Sequence, residues 1–245
     1  MQLFCLPYAG GSALVYARWR RILPSWINVQ PVELPGRGTR MDEPLHVEPR
    51  RLAEQLAAEL LHAPLDRGYG LFGHSLGALI AFEVIHVLLA RGAPAPTIMF
   101  ASGTEAPSVR DGSKWRLPLN DEALRDELRS LRGTPAEALD DPEIMRDALP
   151  VLRADFLMCG AYEYRRRQPL PCPIQVFGGV DDDVDREALE AWQCETSASF
   201  DIDMLPGHHF FIHSHQTELL SLIVSALARR SERPPRSFAR ASGKA

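Results

Sequence analysis

Short apolar runs rich in β-branched and aromatic residues alternate along this chain with longer segments whose apolar positions recur every three or four residues. The runs predict strands near Gln2–Leu6, Ile27–Glu33, Gly70–Phe72, Thr97–Ser102, Ile174–Phe177 and Asp201–Leu205. The periodic segments predict helices near Ala13–Ile22, Pro49–His62, Leu76–Ala90, Glu187–Cys194 and Gln216–Arg229. Parallel strands can be joined only through long crossovers, so this alternation specifies an α/β fold with a mostly parallel sheet flanked by helices. Arg91-Gly92 marks one helix stop, because a cation suits the last turn and glycine takes a left-handed cap without strain.

From about Glu105 to Tyr164 the alternation lapses, with several short helical pieces and no strand. Asn120-Asp121-Glu122 opens one piece, since the asparagine oxygen caps free N–H groups and acids suit a helix's positive end. Leu124, Leu128 and Leu131 continue it as an i, i+4, i+7 stripe, and Asp141-Pro142 opens the next. Residues 105–164 are therefore read as a helical lid inserted over the active edge of the sheet. Trp115, Met145, Phe156, Met158 and Trp192 are large side chains that either fill a core or line a pocket. The domain reading is a single domain over 1–228 carrying that insertion, then a basic, disordered tail over 229–245 rich in Arg, Ser and Pro.

Composition narrows the class. A chain of 245 residues, 45% apolar and 24% charged, can bury a full core without disulfide staples. No apolar run approaches the roughly 20 residues of a membrane span. Cys5, Cys159, Cys172 and Cys194 show neither C-x-x-C spacing nor neighbouring histidines, which argues against zinc and disulfide frameworks and for a reducing compartment. The opening MQLFCLPYAGG has no basic segment followed by a long apolar one, so no secretory signal is read and the expected location is cytoplasmic. A net charge of −5 weighs against nucleic acid, yet it sums unlike parts: 229–245 holds six basic side chains and one acidic, leaving −10 on the rest.

The sharpest chemical signal is Gly70-Leu71-Phe72-Gly73-His74-Ser75-Leu76-Gly77-Ala78, a strand that ends in G-x-S-x-G and runs straight into a helix. Gly73 and Gly77 flank Ser75 because so tight a strand-to-helix turn leaves no room for a Cβ, and the strain exposes the hydroxyl. The helix start places the N–H of Leu76 where negative charge develops when Ser75 attacks a carbonyl. The loop Leu6-Pro7-Tyr8-Ala9-Gly10-Gly11-Ser12 offers a second donor, the N–H of Ala9. A serine needs a base held by an acid, in the chain order Ser, Asp, His. Asp181, Asp182 and Asp183 follow one late strand, and His208 and His209 follow the last; His213 and His215 are read as surface residues.

Several stretches together resemble type II thioesterases that accompany polyketide synthases and nonribosomal peptide synthetases. They are LFCLPYAGGS, ELPGRGTR at Glu33–Arg40, LFGHSLGALIAFE, LRGTP at Leu131–Pro135, LPVLRADF at Leu149–Phe156, CPIQVFGG at Cys172–Gly179 and PGHHFFI at Pro206–Ile212. The resemblance implies an α/β-hydrolase fold with a helical lid, and hydrolysis of acyl thioesters on the phosphopantetheine arm of an acyl or peptidyl carrier protein. Such an enzyme removes aberrant or stalled acyl groups. It implies no cofactor or metal, no nucleic-acid or membrane partner, and a monomer. The family's histidine stands directly before two phenylalanines, which selects His209 and leaves His208 a supporting place. Its Gly-Gly-x-x-Asp pattern selects Asp182, with Asp181 as the alternative. Leu76 stands where the family often has methionine, which changes nothing if its backbone N–H alone is used. The chain also opens at the first family motif, implying a missing edge strand or a late start.

Carrier proteins are usually acidic, so a basic docking surface is expected. Arg165, Arg166 and Arg167 are its candidates, with Arg37 and Arg40 as others. A carboxylester hydrolase or acyltransferase with the same Ser75, Asp182 and His209 is the alternative reading, and a non-catalytic binding module is another.

Overall fold

In the computed structural model, which describes residues 1–231, the strands are β1 (Gln2–Leu6), β2 (Asn28–Pro31), β3 (Tyr69–His74), β4 (Ile98–Ser102), β5 (Ile174–Gly179) and β6 (Phe200–Leu205). They form one six-stranded parallel sheet in the order β2-β1-β3-β4-β5-β6. The helices are α1 (Trp19–Ile22), α2 (Pro49–Leu60), α3 (Leu76–Ala90), α4 (Asp121–Leu131), α5 (Ala136–Asp140), α6 (Pro142–Ala161), α7 (Arg186–Glu190), α8 (Phe211–Ser214) and α9 (Gln216–Ser231).

Alternation along each strand sorts the core into two layers. Leu3, Cys5, Phe72, Phe100 and Phe177 face the side covered by Trp19 and by Leu219, Ile223 and Leu227 of α9. Phe4, Leu6, Leu71, Met99 and Val176 face α2 and α3. Residues one apart in sequence point to opposite faces of a strand, and both faces here are apolar because both are covered. Pro31, which has no N–H to donate, is tolerated because β2 lies at the sheet edge. Helix α3 is buried at every position from Leu76 to Ile85, which explains why its sequence is apolar all round.

The strand order reverses between β1 and β3: the chain first steps outward to β2, then returns to the other side of β1. In open α/β sheets ligands bind beyond the carboxyl ends of the strands at such a point. Leu6 pairs with Gly73, so the loop leaving β1 lies beside the turn that carries Ser75.

Between β4 and β5 the chain forms α4, α5 and α6, whose Leu124, Leu128, Leu139, Met145, Leu149, Leu152 and Phe156 make a separate apolar cluster. The Asn120 side chain accepts from the N–H of Ala123 at 2.8 Å, and Asp141 accepts from Glu143 and Ile144 at 2.8 and 3.1 Å. Where short pieces are predicted, α6 is one 20-residue helix that runs through Pro150. Its buried Met145, Leu149, Leu152 and Phe156 outweigh the hydrogen bond the proline cannot make. The predicted helix at 13–22 is instead a 3-10 turn at Ala13–Tyr16 followed by the single turn α1, and the one at 187–194 divides into α7 and a 3-10 turn at Ala191–Glu195. Helix α9 continues through residues 229–231, which the sequence reading assigns to the tail; the remainder of that tail, 232–245, lies outside the described residues.

The cap on α4 makes a test of lid autonomy. Asn120→Ala is expected to cost about 1 kcal/mol of local stability. Hydrogen exchange should speed up in 121–131 while amides of β3 and β4 keep their protection.

Candidate active site

At the end of β3, Ser75 takes φ 53° and ψ −120°, a conformation that strains any residue with a side chain. The flanking glycines are obligatory. A Cβ on Gly73 would lie 2.2 Å from the carbonyl oxygen of Gly77, and one on Gly77 would lie 2.3 Å from that of Leu6. The Ser75 N–H donates to the Ser102 carbonyl at 2.7 Å, tying the turn to β4. Among the described residues the Ser75 hydroxyl has no hydrogen-bond partner and is open to a cavity of about 230 Å³.

Ala9, Asp182 and His209 line the same cavity. The loop after β5 is held to the loop after β6 by Val180 N–H to Leu205 at 2.8 Å and Asp181 N–H to Gly207 at 3.0 Å. Their close approach explains Gly179, where a Cβ would lie 2.6 Å from the Gly207 oxygen. The pairing brings His209 Nδ1 to 3.0 Å from Asp182 Oδ2 and 3.3 Å from Oδ1. Both side chains are buried, at 10% and 4% exposure. Asp181 is exposed, and it is its backbone oxygen that accepts a bond, from His208 Nδ1 at 2.8 Å. With Nδ1 donating, His208 Nε2 accepts from Arg132 of the lid at 3.0 Å. His213 is exposed and 3.0 Å from the Tyr8 hydroxyl.

The loop after β1 makes a tight turn, with Gly11 N–H donating to the Tyr8 oxygen at 2.9 Å and Gly10 at φ 77°. Ala9 sits inside this turn. Leu76 is the first residue of α3, where helix geometry leaves the N–H unpaired. The two candidate oxyanion donors thus lie on the two segments that Gly77 brings into contact.

Sequence reasoning passes over three buried polar groups. His74 is fully buried, 2.9 Å from the Ser102 hydroxyl through Nδ1, and its ring lies 5.1 Å from that of His209. Burial, aided by nearby His209 and His213, holds it well below the usual histidine range and therefore neutral. Glu83, 2% exposed on apolar α3, receives Arg167 at 2.6 and 3.0 Å and the Tyr162 hydroxyl at 2.9 Å. Asp155 on α6, wholly buried, receives Arg37 at 2.6 and 2.8 Å. The signal for both acids is a carboxylate in an otherwise apolar helical run.

These pairs revise the basic surface. Arg37 is 7% exposed and bound to Asp155, so it cannot serve docking. Arg40 is committed to Glu43 and Glu59 at 2.7 and 2.9 Å. Arg167 is drawn inward by Glu83, whereas Arg165 and Arg166 are exposed; none of the three lines the cavity. Its cationic lining is Arg110 and Lys114, which lie 5.4 and 4.2 Å from the Trp115 ring centre. Trp115 and Phe156 line the cavity, while Met145, Met158 and Trp192 are core, the last donating its indole N–H to the Thr104 oxygen at 3.0 Å.

The thioesterase domain family matches residues 1–227. The chain is 42% identical to a Brevibacillus parabrevis protein named linear gramicidin dehydrogenase, over 92% of this chain and 87% of that one. It superposes on a thioesterase from the prodiginine pathway of Streptomyces coelicolor with a TM-score of 0.87 at 38% identity, covering 92% and 90% of the two chains. It also superposes on the type II thioesterase of the borrelidin cluster with a TM-score of 0.83 at 37% identity, covering 92% of each. Agreement over nearly the whole chain, lid included, extends well beyond the G-x-S-x-G turn that many hydrolases share, and the chain belongs to the thioesterase family, among the type II thioesterases of nonribosomal peptide and polyketide synthesis.

Proposed function

We propose that Ser75, His209 and Asp182 carry out hydrolysis of acyl thioesters presented on a carrier protein's phosphopantetheine arm, clearing aberrant or stalled acyl groups. The observation that carries this reading is the buried His209–Asp182 contact in the wall of the cavity to which Ser75 is open. Asp182 accepts a hydrogen bond from Nδ1–H, so Nε2 of His209 is left free as the base. Substrate is expected to draw Ser75 and His209 together, since catalytic hydrogen bonds commonly tighten on binding. His209 takes the Ser75 proton as Oγ attacks the thioester carbonyl, and Ala9 and Leu76 donate to the oxyanion. Collapse breaks the C–S bond, the thiol leaves with the proton from His209, and the acyl group stays on Ser75. Water then repeats the sequence through His209, releasing the acid and restoring the serine. A thiol, with pKa near 8.5, is a good leaving group, so the demand falls on serine activation and the oxyanion hole. Trp115 and Phe156 supply the apolar wall for the acyl chain.

A dinucleotide site of the kind a dehydrogenase uses needs a glycine-rich turn at the start of a helix. Here the turn that opens α3 is occupied by the strained Ser75, which suits a nucleophile. Arg165 and Arg166 are the exposed cations proposed to meet an acidic carrier. The unpaired thiols, with Cys5, Cys159 and Cys172 buried, support a cytoplasmic location.

Ser75→Ala is expected to fold normally and lose all acyl-carrier hydrolysis, read by mass spectrometry of the carrier; hydrolysis at the wild-type rate would overturn the assignment. Reversing Arg165 and Arg166 to glutamate should slow turnover of carrier-bound acyl groups while sparing a small thioester mimic, and equal loss on both substrates would count against docking there. His74 gives a pH signature. Below about pH 6.5 the unfolded chain binds a proton on His74 that the folded chain refuses, so stability falls as pH drops. His86, pushed down to about 4 mainly by burial, adds to the effect. Urea unfolding between pH 5 and 7 should therefore show a slope that His74→Gln reduces, by up to about 1.4 kcal/mol per pH unit at the acid end of that range.

A further inference from the structure

We infer that Arg37 and Asp155 are the positioning pair of the oxyanion hole, a proposal that rests on the thioester-hydrolase reading above. The pair takes hold of both ends of one short stretch of the loop after β1. Asp155 Oδ2 accepts the Gly10 N–H at 2.7 Å, and Arg37 Nη1 donates to the Gly11 carbonyl at 3.3 Å. The same guanidinium grips Asp155 through two parallel bonds of 2.6 and 2.8 Å, a planar geometry that lysine cannot reproduce. Gly10 and Gly11 form the second half of the turn in which Ala9 sits, and the Gly10 N–H belongs to the Ala9–Gly10 peptide, so holding it restrains the Ala9 backbone and the direction of its N–H. Leu152, one helical turn before Asp155 on α6, closes over the same place, where a Cβ on Gly10 would lie 2.5 Å from its Cδ2.

The energetics favour a positional role over a stabilising one. Arg37 is 7% exposed and Asp155 wholly buried, so both charges are largely stripped of water, and Arg37 Nε is buried without a partner among the described residues. Replacing such a pair with apolar residues of similar size is often neutral or stabilising. The loop needs something an apolar pair lacks: an acceptor for Gly10 and a donor for Gly11. Because Arg37 comes from the loop after β2 and Asp155 from the lid, the pair also holds the lid helix that carries Phe156 in register with the oxyanion turn.

The decisive variant is R37M/D155L. It is expected to fold, to lower kcat on a small acyl thioester about tenfold to a hundredfold, and to leave KM within about threefold. Affinity for a boronic acid that becomes tetrahedral on Ser75 should weaken in step with kcat, while affinity for an unreactive thioether analogue stays unchanged. Wild-type kcat in the folded double variant, or equal weakening of both ligands, would overturn the proposal. Should that variant not fold, D155N keeps one oxygen for Gly10 but removes the charge that holds Arg37. It should show a smaller kcat loss at constant KM, and no loss would overturn the proposal equally. If the wild-type protein hydrolyses no thioester, the functional reading fails by itself. Exchange of the Gly10 amide, slow in the wild type, fast in R37M/D155L and intermediate in D155N, then still decides whether the pair holds the turn, and equal exchange rejects it.

Discussion

The close approach of α3 to β1 is the constraint from which the site follows. Gly77 lets the start of α3 lie against the Leu6 and Pro7 carbonyls, and Gly73 lets β3 fold back on that same helix start. Ser75 is left at positive φ between them, held by its N–H bond to Ser102 and by strands on both sides. A strained turn survives only where its surroundings over-determine it. Here those surroundings are the centre of the sheet, buried on both faces. The contact that exposes the serine also brings the loop after β1 beside the helix N-terminus, so the proposed nucleophile and the proposed oxyanion donors share one origin.

The helical segment inserted between β4 and β5 is joined to this rigid base in a different way. Its own cluster of leucines, Met145 and Phe156 packs internally, and several of its ties to the sheet domain are polar. Arg132 reaches His208, Asp155 meets Arg37 and Gly10, and Tyr162, just after α6, meets Glu83. Two of these acids are 2% exposed or less, in sites where an apolar residue would pack at lower cost. Directional bonds of this sort set orientation, which apolar contact alone leaves loosely defined.

Much of this was legible in sequence because each legible feature is local. Strands and helices announce themselves by period, the elbow by its two glycines, and the caps of α4 and α6 by Asn120 and Asp141. Order along the chain predicts an acid after β5 and a histidine after β6. Choosing among adjacent aspartates and histidines needed the family pattern, since neighbours on a loop differ by the direction each side chain takes, and Asp182 turns inward where Asp181 turns out. What escaped was non-local. Arg37 and Asp155 stand 118 positions apart, Arg167 and Glu83 stand 84 apart, and an arginine read alone looks like a surface cation. The partner that buries it is visible only once the chain is folded.

This separation of roles bears on how such an enzyme can change its substrates. The atoms proposed to perform the chemistry sit on strand ends and on the turn at Ser75, where a misplacement of about 1 Å can cost a hundredfold. The apolar wall formed by Trp115 and Phe156 belongs to the inserted segment, which has an apolar cluster of its own although Met158, Cys159 and Trp115 also pack on the sheet core. Substitutions there can reshape the space for an acyl chain without passing strain into the elbow, provided Asp155 keeps its place. That condition is restrictive, because Phe156 follows Asp155 directly and both lie on α6. Selectivity can therefore drift through side-chain size on the lid, while the helix that carries those side chains is tied to the oxyanion turn.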